Sequence, residues 1–172
     1  KALMTAYYGK PATKSYFNGA GGAGRQGLKA VQRYPEDFDG VVVGGVAADS
    51  SHFALANLWA WLAVQRQAGG DFPEAKLPLL HRAAVNACDA DDGVRDGLIS
   101  DPERCGFDPA SLQCKDQDDA SCLNAGQVAA ARQIYAPPAH ARTGRRLFGP
   151  LMPGSELGWA GVVGKQPNGY AV

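Results

Sequence analysis

The feature that most constrains this chain is a glycine-rich turn at residues 19–24, Gly-Ala-Gly-Gly-Ala-Gly. Residues 15–18 before it are typical of a short strand, and residues 25–34 after it carry apolar side chains at helical spacing. Residues 41–43 are three valines, which is typical of a strand that is buried on both faces. Strand, turn, helix and strand form a βαβ unit, so the sequence predicts an α/β fold with parallel strands.

Two kinds of site use a glycine-rich turn between a strand and a helix. The dinucleotide pattern G-x-G-x-x-G is matched by Gly19, Gly21 and Gly24, and would place a pyrophosphate at the helix N-terminus. The nucleophile-elbow pattern G-x-S-x-G instead puts Gly21 at the serine position. The mixed strand before the turn, and the lack of an acid at the end of the second strand, argue against a dinucleotide site. A tight turn without a ligand is the third interpretation.

Helices and a loop-rich segment make up the rest of the chain. We expect helices at residues 1–9, 50–67, 77–87 and 125–135. The longest of them should bury four apolar side chains, Leu55, Leu58, Trp59 and Leu62. A chain that opens inside a helix suggests a piece of a larger protein.

Composition argues against two classes of partner. The 17 basic and 17 acidic residues give a formal net charge of zero, whereas a nucleic-acid surface needs a basic excess to neutralise phosphates. No apolar run approaches the roughly 20 residues that a membrane helix needs. We therefore expect no nucleic-acid partner and no membrane span.

Residues 89–98, Asp-Ala-Asp-Asp-Gly-Val-Arg-Asp-Gly-Leu, form an acidic loop with two glycines that permit sharp turns. Three carboxylates are spaced to surround one point, those of Asp89, Asp92 and Asp96. Val94 and Leu98 offer backbone carbonyls, and we expect their side chains to point into the protein. Calcium binds six to eight such oxygens at about 2.3–2.6 Å. The loop therefore predicts a calcium site, with a solvated acidic loop as the alternative.

The cysteines predict covalent cross-links in the same region. All of them lie in a polar stretch, at Cys88, Cys105, Cys114 and Cys122. No pair has C-x-x-C spacing, so neither a zinc site nor a redox motif is expected. A polar stretch buries little apolar surface and is stabilised by cross-links, so we expect two disulfides and an oxidising compartment. Four free buried thiols are the alternative.

Several segments together resemble the tannase/feruloyl esterase family. They occur in the family's order and cover nearly the whole chain: YFNG at 16–19, GRQGL at 24–28, QRYPEDFDG at 32–40, CDA at 88–90, DGV at 92–94, DG at 96–97, PGSE at 153–156 and GW at 158–159. The resemblance implies a partial α/β-hydrolase core at residues 1–49 and a segment of a helical and loop-rich lid at residues 50–172. It also implies export from the cell, as a secreted or periplasmic protein.

The same resemblance assigns roles within the lid segment. It implies a structural calcium held by Asp89, Asp92 and Asp96 together with the carbonyls of Val94 and Leu98. It further implies the disulfide pairs Cys88–Cys105 and Cys114–Cys122. The ligand that it implies for the complete fold is a small-molecule aromatic ester.

The elbow is where the chain departs from the family it resembles. The family's G-C-S-x-G-G has Ala20, Gly21 and Ala23 at its Cys, Ser and following Gly. The resemblance places the family's catalytic Asp and His beyond the end of this chain, and leaves the backbone N–H of Gly22 as an oxyanion-hole donor.

The resemblance thus implies a carboxylic ester hydrolase for aromatic (phenolic) acid esters in the complete form. Acyl-enzyme chemistry needs a nucleophile, so we expect this chain to be inactive. A non-catalytic calcium-binding homologue that binds an aromatic ligand or a partner is the alternative, and a dinucleotide-binding βαβ protein is the less favoured one.

Overall fold

The computed structural model describes residues 1–164 of the 172-residue chain. The chain divides into two compact units, Lys1–Ser50 and Ser51–Val172, which we call unit 1 and unit 2. Within residues 1–164, no helix combines the length and the apolar character that crossing a membrane requires.

Unit 1 is a βαβ unit preceded by a short helix. Helix α1 spans Ala2–Tyr8, strand β1 Tyr16–Ala20, helix α2 Gly22–Arg33 and strand β2 Gly40–Gly44. The strands pair in parallel along their whole length. The predicted parallel βαβ arrangement is therefore confirmed, although α2 begins at Gly22 rather than at Arg25.

Glycines allow α2 to lie directly on the strands. A Cβ atom at Gly27 would lie 2.7 Å from the Phe17 ring and 2.8 Å from the Val43 side chain. A Cβ atom at Gly24 would lie 2.9 Å from the Val46 side chain. Real side chains do not occupy such positions without displacing their neighbours. Because both positions lack a side chain, α2 can lie close to the two strands, and the turn before it can lie against the strand ends.

The expectation that the strand at residues 41–43 is buried on both of its faces is wrong for this unit. Val41 and Val43 are half-buried, whereas Val42 is 69% exposed. Helix α2 packs on the face that carries Val43, and successive strand side chains point to opposite faces. Val42 therefore lies on the face away from α2.

Unit 2 packs three helices around one apolar core. They are α3 over Ser50–Gln65, whose first residue belongs to unit 1, α4 over Leu77–Cys88, and α5 over Ala125–Tyr135. The predicted limits of α5 are confirmed, and those of α3 and α4 differ only at their C-terminal ends. Side chains from the connecting segments complete the core: Phe72, Leu123, Trp159 and Val163.

The expected buried face of α3 is only partly right. Leu58, Trp59 and Leu62 are half-buried, and Leu55 is 48% exposed. The fully buried residues are Ala60, Ala63 and Val64. Since α3 is apolar around its whole circumference, its periodicity did not single out a face, and the smallest side chains occupy the contact with the core.

Helix α5 begins with a capping box, and its first turn packs against the chain after α3. The Asn124 Oδ1 atom accepts a hydrogen bond from the Gln127 backbone N–H at 2.9 Å, and the Gln127 Oε1 atom accepts one from the Asn124 N–H at 3.1 Å. In the same turn, Gly126 lies against the backbone of residues 68–70, where a Cβ atom would collide with the Ala68 carbonyl oxygen. This contact requires a glycine.

Candidate functional site

The turn between β1 and α2 has the backbone geometry of a sharp strand-to-helix corner. Gly21 adopts φ 58° and ψ −122°, a region that residues with a side chain rarely occupy. Its N–H donates to the Gly44 carbonyl oxygen at 3.0 Å, which ties the corner to the end of β2. A Cβ atom at Gly21 would meet no atom within 4 Å. The corner therefore has room for a side chain, and that position holds none.

Gly22 follows as the first residue of α2. The first N–H groups of a helix have no partner inside the helix, so they are available to an oxygen that approaches the helix N-terminus. A Cβ atom at Gly22 would also meet no atom within 4 Å. Gly22 can thus present its backbone N–H beside the position that Gly21 leaves open.

A polar pair lies beside the same strand ends. The Arg25 Nη1 atom donates to Ser50 Oγ at 2.6 Å, with Arg25 in the first turn of α2. Residues 1–50 contain no histidine. The serine hydroxyl accepts from an arginine, which stays protonated and cannot remove its proton, so these two residues by themselves do not supply a nucleophile and base.

The acidic loop is closed by its own carboxylates. The Asp89 Oδ1 atom accepts from the backbone N–H groups of Asp96 at 3.2 Å and Gly97 at 2.9 Å. The Asp92 Oδ1 atom accepts from the Val94 N–H at 2.8 Å, and the Asp96 Oδ1 atom accepts from the Leu98 N–H at 3.1 Å. All three predicted carboxylates therefore belong to one hydrogen-bonded loop.

Hydrogen bonds also stabilise the charged form of Asp92. Ser100 Oγ donates to Asp92 Oδ2 at 2.5 Å, and this bond, followed by the one from the Val94 N–H, holds the pKa of Asp92 below its ordinary value. The oxygen-only donor set suits a hard cation such as calcium. Within residues 1–164, however, no three Asp, Glu, His or Cys side chains converge in an arrangement ready to hold a metal ion.

The expected direction of two loop side chains is wrong. Val94 is 55% exposed and Leu98 is 65% exposed, so neither points into the protein. Ile99 is half-buried instead, and its side chain approaches Gly154. Because the carboxylates bond to N–H groups within the loop, the backbone wraps around polar atoms and turns these two apolar side chains outward.

Both predicted disulfides are present. Cys88 pairs with Cys105, which joins the end of α4 to the chain beyond the acidic loop, and Cys114 pairs with Cys122. The pairing expected from the family resemblance is confirmed, and the alternative of four free thiols is wrong. The first bond closes the acidic loop at its base.

A buried carboxylate in unit 2 is a site that the sequence did not reveal. The Glu156 side chain is fully buried and accepts three hydrogen bonds, from Tyr135 Oη at 2.6 Å, the Gly154 N–H at 2.8 Å and His81 Nδ1 at 2.9 Å. Burial raises the pKa of the Tyr135 hydroxyl, and the neighbouring negative charge of Glu156 raises it further. The segment PGSE at 153–156 therefore anchors a polar centre within the core.

A second polar network joins the smaller disulfide loop to the core. The Lys76 Nζ atom donates to Asp118 Oδ1 at 2.5 Å and to Gln127 Oε1 at 3.1 Å. Asn124 Nδ2 donates to the other Asp118 oxygen at 3.1 Å. The bond from Lys76, and then that from Asn124, lowers the pKa of Asp118. Lys76 is 7% exposed, so its charge is neutralised inside the fold rather than offered to a ligand.

Comparison with known proteins identifies the family. The family model described as "Tannase and feruloyl esterase" matches residues 1–170. This chain belongs to the tannase and feruloyl esterase family. Because the match covers the turn at residues 19–24, membership in an esterase family favours the nucleophile-elbow interpretation of that turn over the dinucleotide interpretation.

Two relatives show how much of a full-length family member this chain matches. An uncharacterized esterase of Xanthomonas campestris pv. campestris is 38% identical over 86% of this chain and 26% of its own length. A probable feruloyl esterase B-2 of Aspergillus flavus is 35% identical over 91% of this chain and 30% of its own length. The chain thus spans between a quarter and a third of these two relatives.

Solved structures of the family have a similar fold. The crystal structure of feruloyl esterase B from Aspergillus oryzae matches with a TM-score of 0.72 and 30% identity, over 99% of this chain and 35% of that one. A crystal structure of an esterase from the same organism matches with a TM-score of 0.70 and 32% identity, over 99% and 34% of the two chains. The partial α/β architecture is therefore that of feruloyl esterases.

Proposed function

We propose that this chain is the elbow and lid segment of a carboxylic ester hydrolase for aromatic acid esters, and that it is catalytically inactive with Gly21. The observation that carries the proposal is the corner at Gly21, whose backbone is bent as a nucleophile elbow requires while the nucleophile itself is missing. Support for the substrate class comes from the relatives, among them feruloyl esterases.

The chemistry explains why one missing side chain matters. In acyl transfer, a serine oxygen attacks the ester carbonyl while a base accepts its proton, and backbone N–H groups stabilise the oxyanion that forms. Gly22 can supply one such N–H, but Gly21 has no atom that can attack. Oxyanion donors without a nucleophile give only weak residual catalysis.

We expect the chain to hydrolyse p-nitrophenyl acetate and methyl ferulate no faster than its Gly22→Pro variant. Proline lacks the backbone N–H that would serve as an oxyanion donor. It is accepted at the first position of a helix, and a Cβ atom at position 22 would meet no other atom within 4 Å. Initial rates from absorbance of the released products provide the measurement. An initial rate for the unmodified chain that is clearly higher than the rate for the variant would contradict the proposed inactivity.

A non-catalytic binding homologue is the second candidate, and one observation favours it. The corner keeps its conformation and its bond to Gly44 although no nucleophile needs to be presented. Sequencing the source locus separates the two candidates. A full-length reading frame that encodes glycine at position 21 supports the binding homologue. A frame that encodes Gly-Cys-Ser at positions 19–21 supports an esterase in which this chain carries a substitution.

We further propose that the acidic loop binds calcium through Asp89, Asp92 and Asp96 and the carbonyls of Val94 and Leu98. The oxygen-only donor set supports the proposal, as does the Cys88–Cys105 bond at the base of the loop. Binding requires the carboxylates to share or exchange their present N–H donors within the loop. A bound ion would neutralise the repulsion among the acidic side chains and stabilise the loop.

Removal of calcium should therefore lower the melting temperature. A ligand that binds only the folded state stabilises it by about 2.7 kcal/mol at a hundredfold excess over its dissociation constant. We expect EGTA to lower the melting temperature of the unmodified chain but to have a smaller effect on Asp89→Asn. Asp91→Asn, in the same loop but outside the proposed ligand set, is the matched control. Identical melting curves with and without chelator would refute the calcium site.

The disulfides bear on where the protein acts. Two disulfides, Cys88–Cys105 and Cys114–Cys122, are stable in an oxidising compartment and are rare in the cytosol. They support a secreted or periplasmic location for the complete protein.

A further inference from the structure

A cavity of about 300 Å³ in unit 2 is lined by none of the elbow glycines and by none of the acidic-loop carboxylates, although Cys105 of the disulfide that closes that loop is in its wall. Its walls are prolines, a methionine and two aromatic rings, and Phe107, Tyr135, Pro150 and Met152 are among them. The rings of Phe107 and Tyr135 meet edge to face, with centroids 6.3 Å apart and planes 80° apart. The volume is at the lower end of the range for small-molecule sites, about 300–1,000 Å³, so it suits a single-ring ligand.

Two opposite charges stand at the wall of this cavity. Arg146 Nη2 and Glu103 Oε1 are 3.7 Å apart, and their side chains are 52% and 67% exposed. The Arg146 Nε atom donates to the Phe148 carbonyl oxygen at 3.2 Å, and the Arg146 backbone forms a bridge with Ala139. The guanidinium is thus anchored through Nε while Nη2 faces the carboxylate.

The charge pair determines which ring suits the cavity. An exposed pair at this distance contributes little to stability, so a ligand can enter between its members at small cost. A phenolic hydroxyl donates one hydrogen bond and accepts others, so it can donate to Glu103 and accept from Arg146 at the same time. A carboxylate would be attracted by Arg146 but repelled by Glu103, so the two effects oppose each other, and a hydrocarbon ring would form no hydrogen bond with either charge.

We propose that this cavity binds a phenol, with the ring against the proline and aromatic walls and the hydroxyl between Glu103 and Arg146. The Tyr135 hydroxyl already donates to the buried Glu156, so Tyr135 offers its ring to the ligand and not its polar atom. The inference rests on the residues of this cavity alone and holds whether or not the chain hydrolyses esters.

Methionine methyl groups provide the measurement. The chain has two methionines, Met152 in the cavity wall and Met4 in α1 of unit 1. With ¹³C-methyl methionine in the full chain, titration with p-cresol should shift the Met152 resonance through the ring current and leave Met4 unchanged. Toluene, which has the same ring without the hydroxyl, should bind at least about fivefold more weakly, as expected for the loss of hydrogen bonds to charged groups.

Variants of the Glu103–Arg146 charge pair test the role of the ligand hydroxyl. Arg146→Met and Glu103→Gln alter exposed side chains, so both should fold, and each should weaken p-cresol binding by about fivefold while toluene binding stays the same. Arg142→Met changes an exposed arginine outside the cavity lining and should bind p-cresol as the unmodified chain does. The proposal is overturned if Met152 does not shift, if Met4 shifts equally, if toluene matches p-cresol, or if Arg146→Met leaves p-cresol binding unchanged.

Discussion

Glu156→Ala should strongly destabilise unit 2. The fully buried carboxylate accepts hydrogen bonds from Tyr135, Gly154 and His81, and alanine leaves all three donors without their acceptor beside a new cavity. Removing one partner from a buried charged network costs about 3–5 kcal/mol. Urea unfolding followed by circular dichroism measures the change as a lower midpoint.

Three further variants make the test of Glu156 specific. Tyr135→Phe removes one donor and keeps the ring, so we expect a loss of about 1–2 kcal/mol. Glu156→Gln keeps the volume and one acceptor oxygen, so its loss should lie between those of the other two variants. Glu103→Ala removes a glutamate that is 67% exposed, and should change stability by no more than about 0.5 kcal/mol. Equal midpoints for Glu156→Ala and Glu103→Ala would show that the buried network does not stabilise the fold.

Gly126→Ala should be the most damaging glycine substitution in unit 2. The added Cβ would collide with the Ala68 carbonyl oxygen and would lie 2.8 Å from the Gly69 carbonyl carbon and 2.9 Å from the Gly70 nitrogen. These are backbone atoms, which cannot move aside as a side chain can. Overpacking typically costs about 1–3 kcal/mol and occasionally more, and contact with fixed backbone places this substitution at the upper end, whereas the higher helix propensity of alanine returns only about 1 kcal/mol.

The control for Gly126 is another glycine of the same unit. A Cβ at Gly106 would meet no atom within 4 Å, and its φ is not in the left-handed region, so Gly106→Ala should stay within about 0.5 kcal/mol of the unmodified chain. The urea midpoint and the far-ultraviolet circular dichroism of both variants provide the comparison. A Gly126→Ala midpoint equal to that of Gly106→Ala would mean that α5 can move away from residues 68–70 without loss.

Much of the candidate site was predictable because its signals are local. The turn at Gly21 lies between a strand and a helix in the sequence, and the structure has the corner at that residue. The limits of α5 follow from its apolar spacing and the polar residues before it. The disulfide pairs join cysteines that are close along the chain, with separations of 17 and 8 residues.

Features that depend on which surfaces meet were not predictable. The buried face of α3 could not be chosen because the helix is apolar all round, and Val42 is exposed because α2 covers the other face of its strand. Val94 and Leu98 point outward because the loop folds around its own carboxylates. In each case the burial of a side chain depends on contacts of the folded backbone, and the identity of the residue alone does not determine them.

The amino-acid sequence by itself determined the family, the βαβ order, the cross-linked acidic loop and the presence of a glycine, with no side chain, at position 21 of the turn, since each is carried by residue identities and short spacings. Only the tertiary structure decided that Glu156 is a buried acceptor, that Gly24, Gly27 and Gly126 are sites of close backbone approach, and that Glu103 and Arg146 face each other beside an aromatic cavity. Glu156 meets Tyr135 and His81 across 21 and 75 residues of sequence, and such contacts form only when the packed core brings the distant segments together.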